Sequence, residues 1–294
     1  MSTLFGIPLP ALYGQLVVGL INGSFYAVLS LGLAVIFGML RVINFAHGAQ
    51  YMLGAFMAWA LLTQLGIGFF WALLLAPLAV AAFAVLLERL FLSRLYQLDH
   101  LYGLLFTFGV AMVLEGGFQH IFGSSGMRYA TPAALMGPID LGFMVLPKYR
   151  GFVILASIVI CLATSLLIEK TKFGAYLRAA TERPVLVQAF GVNVPLMLTL
   201  TYAIGAGLAA LAGVLAAPIY QVGPLMGQNL IIIVFAVVVI GGMGSILGAI
   251  VTGYLLGLLE GLAKVFYPEI ASTVIFIVMA VILLIRPRGL FGKE

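Results

Sequence analysis

Charged residues are so scarce in this chain, and so unevenly placed, that they decide what it can fold into. Its 294 residues include 14 basic and 9 acidic side chains, 8% of the total, whereas a soluble domain carries about a quarter. Hydrophobic residues make up 64%. Water would not solvate the surface of such a protein, but the hydrocarbon of a bilayer would. The sequence therefore predicts an integral membrane protein.

A series of long apolar stretches predicts membrane-spanning helices, because a barrel would need alternating segments of about ten residues. The stretches are Leu12–Leu40, Phe45–Leu65, Phe69–Leu87, Leu101–Phe122, Gly151–Ile168, Pro195–Ala217, Leu230–Ile240 with Ile246–Leu262, and Ala271–Ile285. The predicted fold is all-α, a polytopic bundle of about eight spans with broken or re-entrant half-helices, and residues 1–294 form one transmembrane domain. Because Leu12–Leu40 would make a helix of about 45 Å, a break at Gly32 or Gly38 is an alternative to one tilted span.

Basic side chains collect in three places along the chain. They are Arg89 and Arg94; Lys170, Lys172, Arg178 and Arg183; and Arg286, Arg288 and Lys293. Counting spans places all three groups on one side, provided that residues 230–262 cross an even number of times or re-enter. The positive-inside rule makes that side the cytoplasm, so we expect a multi-pass protein with a cytoplasmic C-terminus.

Two polar or glycine-rich interruptions fall inside the apolar regions. The first, residues 41–50, contains Asn44, His47 and Gln50, and the second is Gly241-Gly242-Met243-Gly244-Ser245. Non-helical backbone at membrane depth must be buried in protein or line a wet cavity, and transporters bind solutes beside such breaks. The plainer alternatives are a short loop with a snorkelling Arg41 and a tight glycine turn.

The candidates for a substrate path share small size or an uncharged polar side chain. They are Asn22, Ser24, Asn44, His47, Gln50, Gly241, Gly242, Gly244 and Ser245. The ends of half-helices beside them would also attract the charges of a zwitterion.

Two acidic residues, Glu115 and Glu260, also lie within apolar segments. Intramembrane carboxylates are candidates for proton coupling, although both lie near segment ends, where a structural role suffices. Small residues recur every four positions in residues 205–217, 244–252 and 253–261, which predicts close helix packing. The sequence contains no phosphate-binding glycine loop, metal-ligand cluster or nucleophile elbow, so we expect no enzymatic activity, metal or cofactor on this chain.

The longest charged stretch, residues 169–195, alternates basic side chains with apolar ones. Pro184 suits the first turn of a short helix and Gly191 suits its end. A short amphipathic helix of this kind fits either a groove on a partner protein or the headgroups of the bilayer.

Several of these segments resemble the LivH-type branched-chain amino acid permeases of bacterial ABC importers. The matching segments are Asn22-Gly-Ser-Phe-Tyr-Ala, Asn44-Phe-Ala-His-Gly48, Arg178-Ala-Ala-Thr-Glu-Arg183, Phe190-Gly-Val-Asn193, Gly241-Gly-Met-Gly-Ser245 and Arg286-Pro-Arg-Gly-Leu-Phe-Gly292. The resemblance implies a subunit of the bacterial inner membrane that works with a second homologous permease, two cytoplasmic ATPase subunits that bind ATP and magnesium, and a periplasmic solute-binding protein. No nucleic acid partner is implied.

The same resemblance implies that residues 169–195 are a cytoplasmic coupling loop. Its coupling candidates are Arg178, Glu182, Arg183, Phe190, Gly191 and Asn193, with Glu182–Asn193 seated in an ATPase groove. The family also contains similar permeases for urea, short amides and aromatic acids, so these remain alternative solutes. An ion- or proton-coupled carrier that uses Glu115 and Glu260, and a membrane scaffold, are the alternatives from other functional classes.

Overall fold

The computed structural model describes residues 3–4, 7–40, 42–96 and 98–292, and these residues are mainly helical. The α-helices are α1 Leu9–Leu40, α2 Ala46–Leu65, α3 Phe69–Leu87, α4 Ser93–Leu95, α5 His100–Phe122, α6 Lys148–Lys170, α7 Lys172–Glu182, α8 Pro184–Ala189, α9 Val194–Ala216, α10 Gln228–Gly241, α11 Ile246–Phe266 and α12 Val274–Ile285. A π-helical turn, Glu88–Leu92, joins α3 to α4, and short 3₁₀ turns lie at Ala133–Leu135 and Pro268–Ile270. Two small antiparallel hairpins pair β1 (Thr3–Leu4) with β2 (Ile7–Pro8) and β3 (Pro138–Asp140) with β4 (Val145–Pro147).

Within the described residues, six helices are long and apolar enough to cross a membrane. Two further apolar helices, α10 and α12, are shorter at 14 and 12 residues. The predicted all-α membrane bundle with half-length helices is therefore confirmed. Helix α1 runs unbroken through Gly32 and Gly38 for 32 residues, so the alternative of a break at either glycine is wrong. Both glycines instead allow the backbone of other segments to approach α1 closely.

The described basic residues divide unequally between the two ends of the bundle. One end, called the basic end, carries Arg89, Arg94, Lys170, Lys172, Arg178, Arg183, Arg286 and Arg288. There the C-terminal turn of α1, the start of α11 and the tail after α12 line one cavity together with α6 and α7. The opposite end, called the far end, carries Arg128, Lys148, Arg150 and Lys264. Arg41 and Lys293 lie outside the described residues.

Helix α1 forms the centre of the bundle and packs antiparallel against α11 through glycines. A Cβ atom at Gly253 would lie 2.6 Å from the Cα of Ala27, and one at Gly261 would lie 3.0 Å from the Cα of Gly19. Backbones that approach this closely leave no room for a side chain. The glycine series in residues 253–261 therefore has the packing role that its spacing predicts.

At the far end, the loop between α5 and α6 folds back onto the bundle. Its β3–β4 hairpin contacts the start of α1, where the rings of Tyr13 and Phe143 meet edge to face at 5.6 Å. A cavity of about 500 Å³ separates the loop from Pro218 and Ile219. Burial raises the pKa of Tyr129 in this loop to about 12.

Candidate functional site

The first interruption is a genuine helix break. Residues 42–45, between α1 and α2, are not helical, and two of their polar backbone groups bond to Thr107 of α5. The Thr107 hydroxyl donates to the carbonyl of Ile43 at 3.1 Å and accepts from the amide of Phe45 at 3.2 Å. A neighbouring helix thus supplies the partners that lipid would not provide. The reading of this segment as a break within protein is supported.

The break lies inside the bundle rather than at its rim. His47, in the first turn of α2, bonds through Nε2 to the carbonyl of Leu29 at 2.9 Å. A Cβ atom on Gly32 would lie 3.0 Å from the ring of His47. Because Gly32 precedes the end of α1 by eight residues, α2 begins about 12 Å inward from that end.

Asn44 and Gln50 form a closed hydrogen-bonded cluster with Tyr202 of α9. The Asn44 amide donates to Gln50 Oε1 at 3.3 Å, Gln50 Nε2 donates to the Tyr202 hydroxyl at 3.2 Å, and that hydroxyl donates to Asn44 Oδ1 at 3.5 Å. All three side chains are buried. The cluster holds the broken end of α2 against α9, and in this conformation none of its members lines a described cavity. Tyr202 was not predicted from the sequence, because a lone tyrosine in an apolar run gives no signal.

The cluster gives a direct test of how the break is held. Tyr202→Phe removes the hydroxyl that joins Asn44 and Gln50, and we expect the free energy of unfolding to fall by about 1–2 kcal/mol. Thermal unfolding of the purified chain in detergent measures this, with Tyr267→Phe, whose side chain is largely exposed, as the matched control. Equal unfolding temperatures for the two variants would mean that the cluster does not stabilise the break.

A second half-helix begins beside the first. Residues 217–227 enter the bundle from the far end without forming a continuous helix, and α10 starts at Gln228. A Cβ atom on Gly48 would lie 2.8 Å from the carbonyl oxygen of Gly227, so the N-terminal turns of α2 and α10 touch. Two positive helix ends therefore meet at membrane depth, an arrangement suited to an anionic group. The sequence did not predict that residues 217–227 enter from the far end, because the residues after Gln228 form a plain apolar run.

The glycine interruption lies elsewhere than expected. Helices α10 and α11 do meet at Gly241–Ser245, but the junction is a turn at the basic end, with left-handed backbone at Gly242 and Gly244. The Ser245 hydroxyl accepts from the amide of Gly248 at 3.1 Å and caps α11. The interpretation of these residues as a break deep in the membrane is therefore wrong, because the tail after α12 and the last turn of α1 pack against the turn.

This turn nevertheless borders the larger of the two described cavities. The cavity has a volume of about 740 Å³. Around it lie the last turn of α1, the turn Met243–Leu247, and charged side chains from α6 and α7, namely Glu169, Lys170, Arg178 and Glu182. Candidates from the substrate-path set, Gly244 and Ser245, and from the coupling set, Arg178 and Glu182, thus share one cavity.

The remaining path candidates lie in the far half of α1. Asn22 is half-buried and its side-chain oxygen accepts from the Tyr220 hydroxyl at 3.3 Å. Ser24 is buried and donates to the carbonyl of Leu20 at 2.9 Å. Asn22 therefore faces the segment that leads into α10, whereas Ser24 satisfies its own helix. The nine path candidates occupy three levels along α1 rather than one pocket.

The coupling candidates lie at the basic end, on α7 and in the turns that flank α8. The guanidinium of Arg178 donates to the carbonyl of Ile168 and fastens α7 to the end of α6. Helix α8 begins at Pro184, and Gly191 follows it with a φ of +82°, as the sequence predicts. The segment Glu182–Asn193 is not one helix, however, because α7 ends at Glu182. Arg183 and Gly191 are exposed, and Phe190 is 79% exposed. Asn193 caps α9 by accepting from the amide of Leu196 at 3.0 Å.

One buried acidic residue of the basic end was not predicted from the sequence. Glu88, in the π-helical turn after α3, is buried and accepts from the Thr199 hydroxyl at 2.7 Å and the Tyr96 hydroxyl at 2.9 Å. It connects α3 to the second turn of α9. Glu88 is buried although the adjacent Arg89 is exposed, and the sequence alone does not distinguish the two environments.

Comparisons with known proteins cover nearly the whole chain. Residues 15–283 match the family described as the permease component of the branched-chain amino acid transport system. The high-affinity branched-chain amino acid transport system permease protein BraD of Pseudomonas aeruginosa is 32% identical, with 95% of each chain covered. Its counterpart LivH of Escherichia coli K12 is 29% identical, again over 95% of each chain. The solved structure of PsaBC from Streptococcus pneumoniae in complex with Fab shares 16% identity at a TM-score of 0.46, covering 91% of this chain and 89% of that one.

Proposed function

Because the chain belongs to the family of branched-chain amino acid transport permeases, we propose that it is a translocation subunit driven by partner ATPases at its basic end. Its cargo would be a branched-chain or similar small hydrophobic amino acid. A solute-binding protein would deliver the cargo at the far end, and a second homologous permease would complete the channel. The basic end would then face the cytoplasm, as the positive-inside rule requires.

The observation that carries this proposal is the apolar tip of the coupling loop. Val185, Leu186 and Phe190 are 79%, 49% and 79% exposed on and just after α8, among the charged side chains of the basic end. Exposed aromatic and aliphatic residues on a rigid projection are the usual anchors of a protein interface. Arg178 fastens α7 to α6, and the apolar side chains of this tip remain exposed beyond the turn at Arg183, so a partner can reach them from the solvent side.

A translocation route along α1 fits the placement of the path candidates. Asn22 and Tyr220 would meet the amino acid in the far half, and the touching helix ends at Gly48 and Gly227 would form the constriction. The cavity beside Gly244 and Ser245 would then receive the cargo at the basic end. When α2 and α10 separate, their amide-rich ends would be free to bind the cargo's carboxylate.

The proposal predicts that Glu260 is not a proton carrier. Glu260 accepts from the Tyr26 hydroxyl at 2.7 Å and pairs with Lys264 at 2.5 Å, an environment that explains its presence structurally. In proteoliposomes containing the complete transporter, we expect Glu260→Gln to retain uptake within about twofold, because glutamine still accepts from Tyr26 and a partly exposed ion pair contributes little. Uptake should require ATP on the side of the membrane that the basic end faces, and an imposed proton gradient should not change it.

Two results of the same assay would reject the proposal. Uptake by this chain alone down an ion gradient would identify a secondary carrier, and loss of that uptake in Glu260→Gln would assign the coupling ion to that carboxylate.

Competition of labelled leucine with urea, a short amide and an aromatic acid identifies the cargo class. Displacement by isoleucine and valine only is the expected outcome.

A further inference from the structure

The cavity at the basic end has a lining of two kinds. Its volume is about 740 Å³, within the range of about 300–1,000 Å³ that is typical of small-molecule sites. The turn after α10, the start of α11 and the tail after α12 contribute apolar side chains. Among them, Met243, Leu247 and Phe291 are 56%, 53% and 38% exposed. The end of α6 and one side of α7 contribute charged side chains instead.

The charged part of the lining carries both signs. Glu169 and Lys170 end α6, and Arg178 and Glu182 lie one turn apart on α7. Within the described residues no ion pair joins any two of these four side chains. Arg178 donates to the carbonyl of Ile168, but a guanidinium has five N–H donors, so this bond leaves others for a ligand. The cavity therefore offers both cations and anions to one ligand.

A ligand that matches this lining has a carboxylate, an ammonium group and an apolar side chain. Its carboxylate would bind the two cations, its ammonium group the two glutamates, and its side chain the apolar part of the lining. Urea and short amides carry no charge, and an aromatic acid lacks the ammonium group, so each would leave charges of the cavity unmet. A nucleotide fits poorly, because its phosphates would meet the two glutamates.

The cavity also lies between the coupling loop and the membrane helices. The Thr181 hydroxyl of α7 donates to the sulfur of Met39, in the last turn of α1, at 3.1 Å, and both residues line the cavity. The exposed tip residues Val185, Leu186 and Phe190 do not line it, so a partner seated on the tip need not fill it. A ligand that bonds to α7 and packs on the start of α11 would stabilise the present arrangement of these two helices.

We infer that this cavity binds the imported amino acid from the cytoplasmic side and that the bound amino acid slows further uptake. The inference rests on the proposed function, which supplies both the cargo and the cytoplasmic orientation of the basic end. In the proposed cycle the partner ATPases move α7 relative to the bundle. The bound amino acid opposes that movement to the extent that it prefers the present arrangement. The cavity thus adds product inhibition to transport.

Product inhibition is measured in proteoliposomes that contain the complete transporter and enclose ATP, with or without millimolar unlabelled leucine. The solute-binding protein and labelled leucine are added outside. We expect enclosed leucine to lower the initial rate of ATP-driven uptake about fivefold, the lower end of typical coupling between two sites. Enclosed alanine should inhibit less at the same concentration, because its side chain buries little apolar surface. An unchanged rate with enclosed leucine would overturn the inference.

Two matched pairs of variants test the lining. Phe291 and Leu290 are adjacent and equally exposed at 38%, but of the two only Phe291 lines the cavity. Lys170 and Lys172 are both exposed, and of these only Lys170 lines it. Each variant is compared with itself, with and without enclosed leucine. We expect Phe291→Ala and Lys170→Ala to reduce the inhibition to about twofold or less, whereas Leu290→Ala and Lys172→Ala keep it. Full inhibition in Phe291→Ala and Lys170→Ala would overturn the assignment to this cavity.

Direct binding identifies the ligand chemistry. Labelled leucine is added to the complete transporter in phosphatidylcholine nanodiscs without the solute-binding protein. Isocaproate lacks the ammonium group of leucine and isoamylamine lacks its carboxylate, so neither should displace leucine at concentrations at which isoleucine does. Displacement by either analogue would contradict a zwitterionic site. A phosphatidylethanolamine headgroup is also zwitterionic, so loss of leucine binding when that lipid is added would assign the cavity to lipid and overturn the inference.

Wild-type uptake without enclosed leucine separates this inference from the proposed function. Normal ATP-driven uptake that enclosed leucine does not inhibit would remove the inference and leave the transport function standing. Absence of ATP-driven uptake with all partners present would contradict the transport function and the inference with it.

Discussion

Gly213→Leu is expected to abolish recovery of folded transporter from the membrane. A Cβ atom at Gly213 would collide with the carbonyl of Tyr51 and lie 3.0 Å from the amide nitrogen of Ala55. Because both are backbone atoms of α2, no rotamer change relieves the clash, and overpacking should cost more than about 3 kcal/mol. That is a large part of the 5–15 kcal/mol by which a folded domain is typically stable. Size-exclusion chromatography in detergent measures the loss of monodisperse protein.

Gly207 provides a control on the same helix. A Cβ atom there would lie 3.7 Å from its nearest neighbour, the carbonyl of Pro77, which is an ordinary contact. Gly207→Ala should therefore leave the thermal unfolding temperature almost unchanged, whereas Gly213→Ala should lower it and Gly213→Leu should prevent folding. Monodisperse, transport-competent Gly213→Leu would show that α2 and α9 do not pack as described.

Features that depend on local sequence were predictable. Hydropathy identifies helices whose apolar surface needs no water, and the glycines and alanines of residues 205–217 recur at the spacing of one helix face. Gly213 meets α2 for that reason. Pro184 and Gly191 bracket α8 because proline fits a first helical turn and glycine adopts the left-handed backbone after a last one. Each of these inferences needs only neighbours along the chain.

Features that depend on depth and on partners across the bundle were not predictable. The residues Gly241–Ser245 have the composition of a re-entrant break, but their level is set by contacts with Gly38 and with the tail after α12. The true second half-helix end, at Gly227, is recognisable only from its contact with Gly48. Glu88 looks solvated beside Arg89 until its two hydroxyl partners, from α9 and from Tyr96, are seen.

Helix α9 connects residues 169–195, the proposed coupling loop, to the helix break. Asn193 caps its first turn, Thr199 binds Glu88 of the turn after α3, and Tyr202 binds the Asn44–Gln50 cluster. Packed helices move as rigid elements, so a displacement at the start of α9 reaches the constriction without needing to deform the helix. Any force that a partner applies at α8 would enter α9 through Gly191–Asn193. The backbone at Gly191 is therefore where coupling should be most sensitive.

Gly191→Pro is expected to uncouple ATP hydrolysis from uptake. Gly191 has a φ of +82° and its amide donates to the carbonyl of Gln188 at 2.9 Å, whereas proline requires a negative φ and has no amide hydrogen. The link between α8 and α9 must then change course while the membrane helices keep their contacts. We expect uptake in proteoliposomes to fall about tenfold, within the range of typical coupling free energies, while the basal ATPase rate persists. Gly191→Asn, which tolerates the left-handed backbone, should keep most of the uptake. Equal loss of uptake in both variants would mean that contact with the glycine itself matters. Normal uptake by Gly191→Pro would remove residues 184–193 from the coupling route.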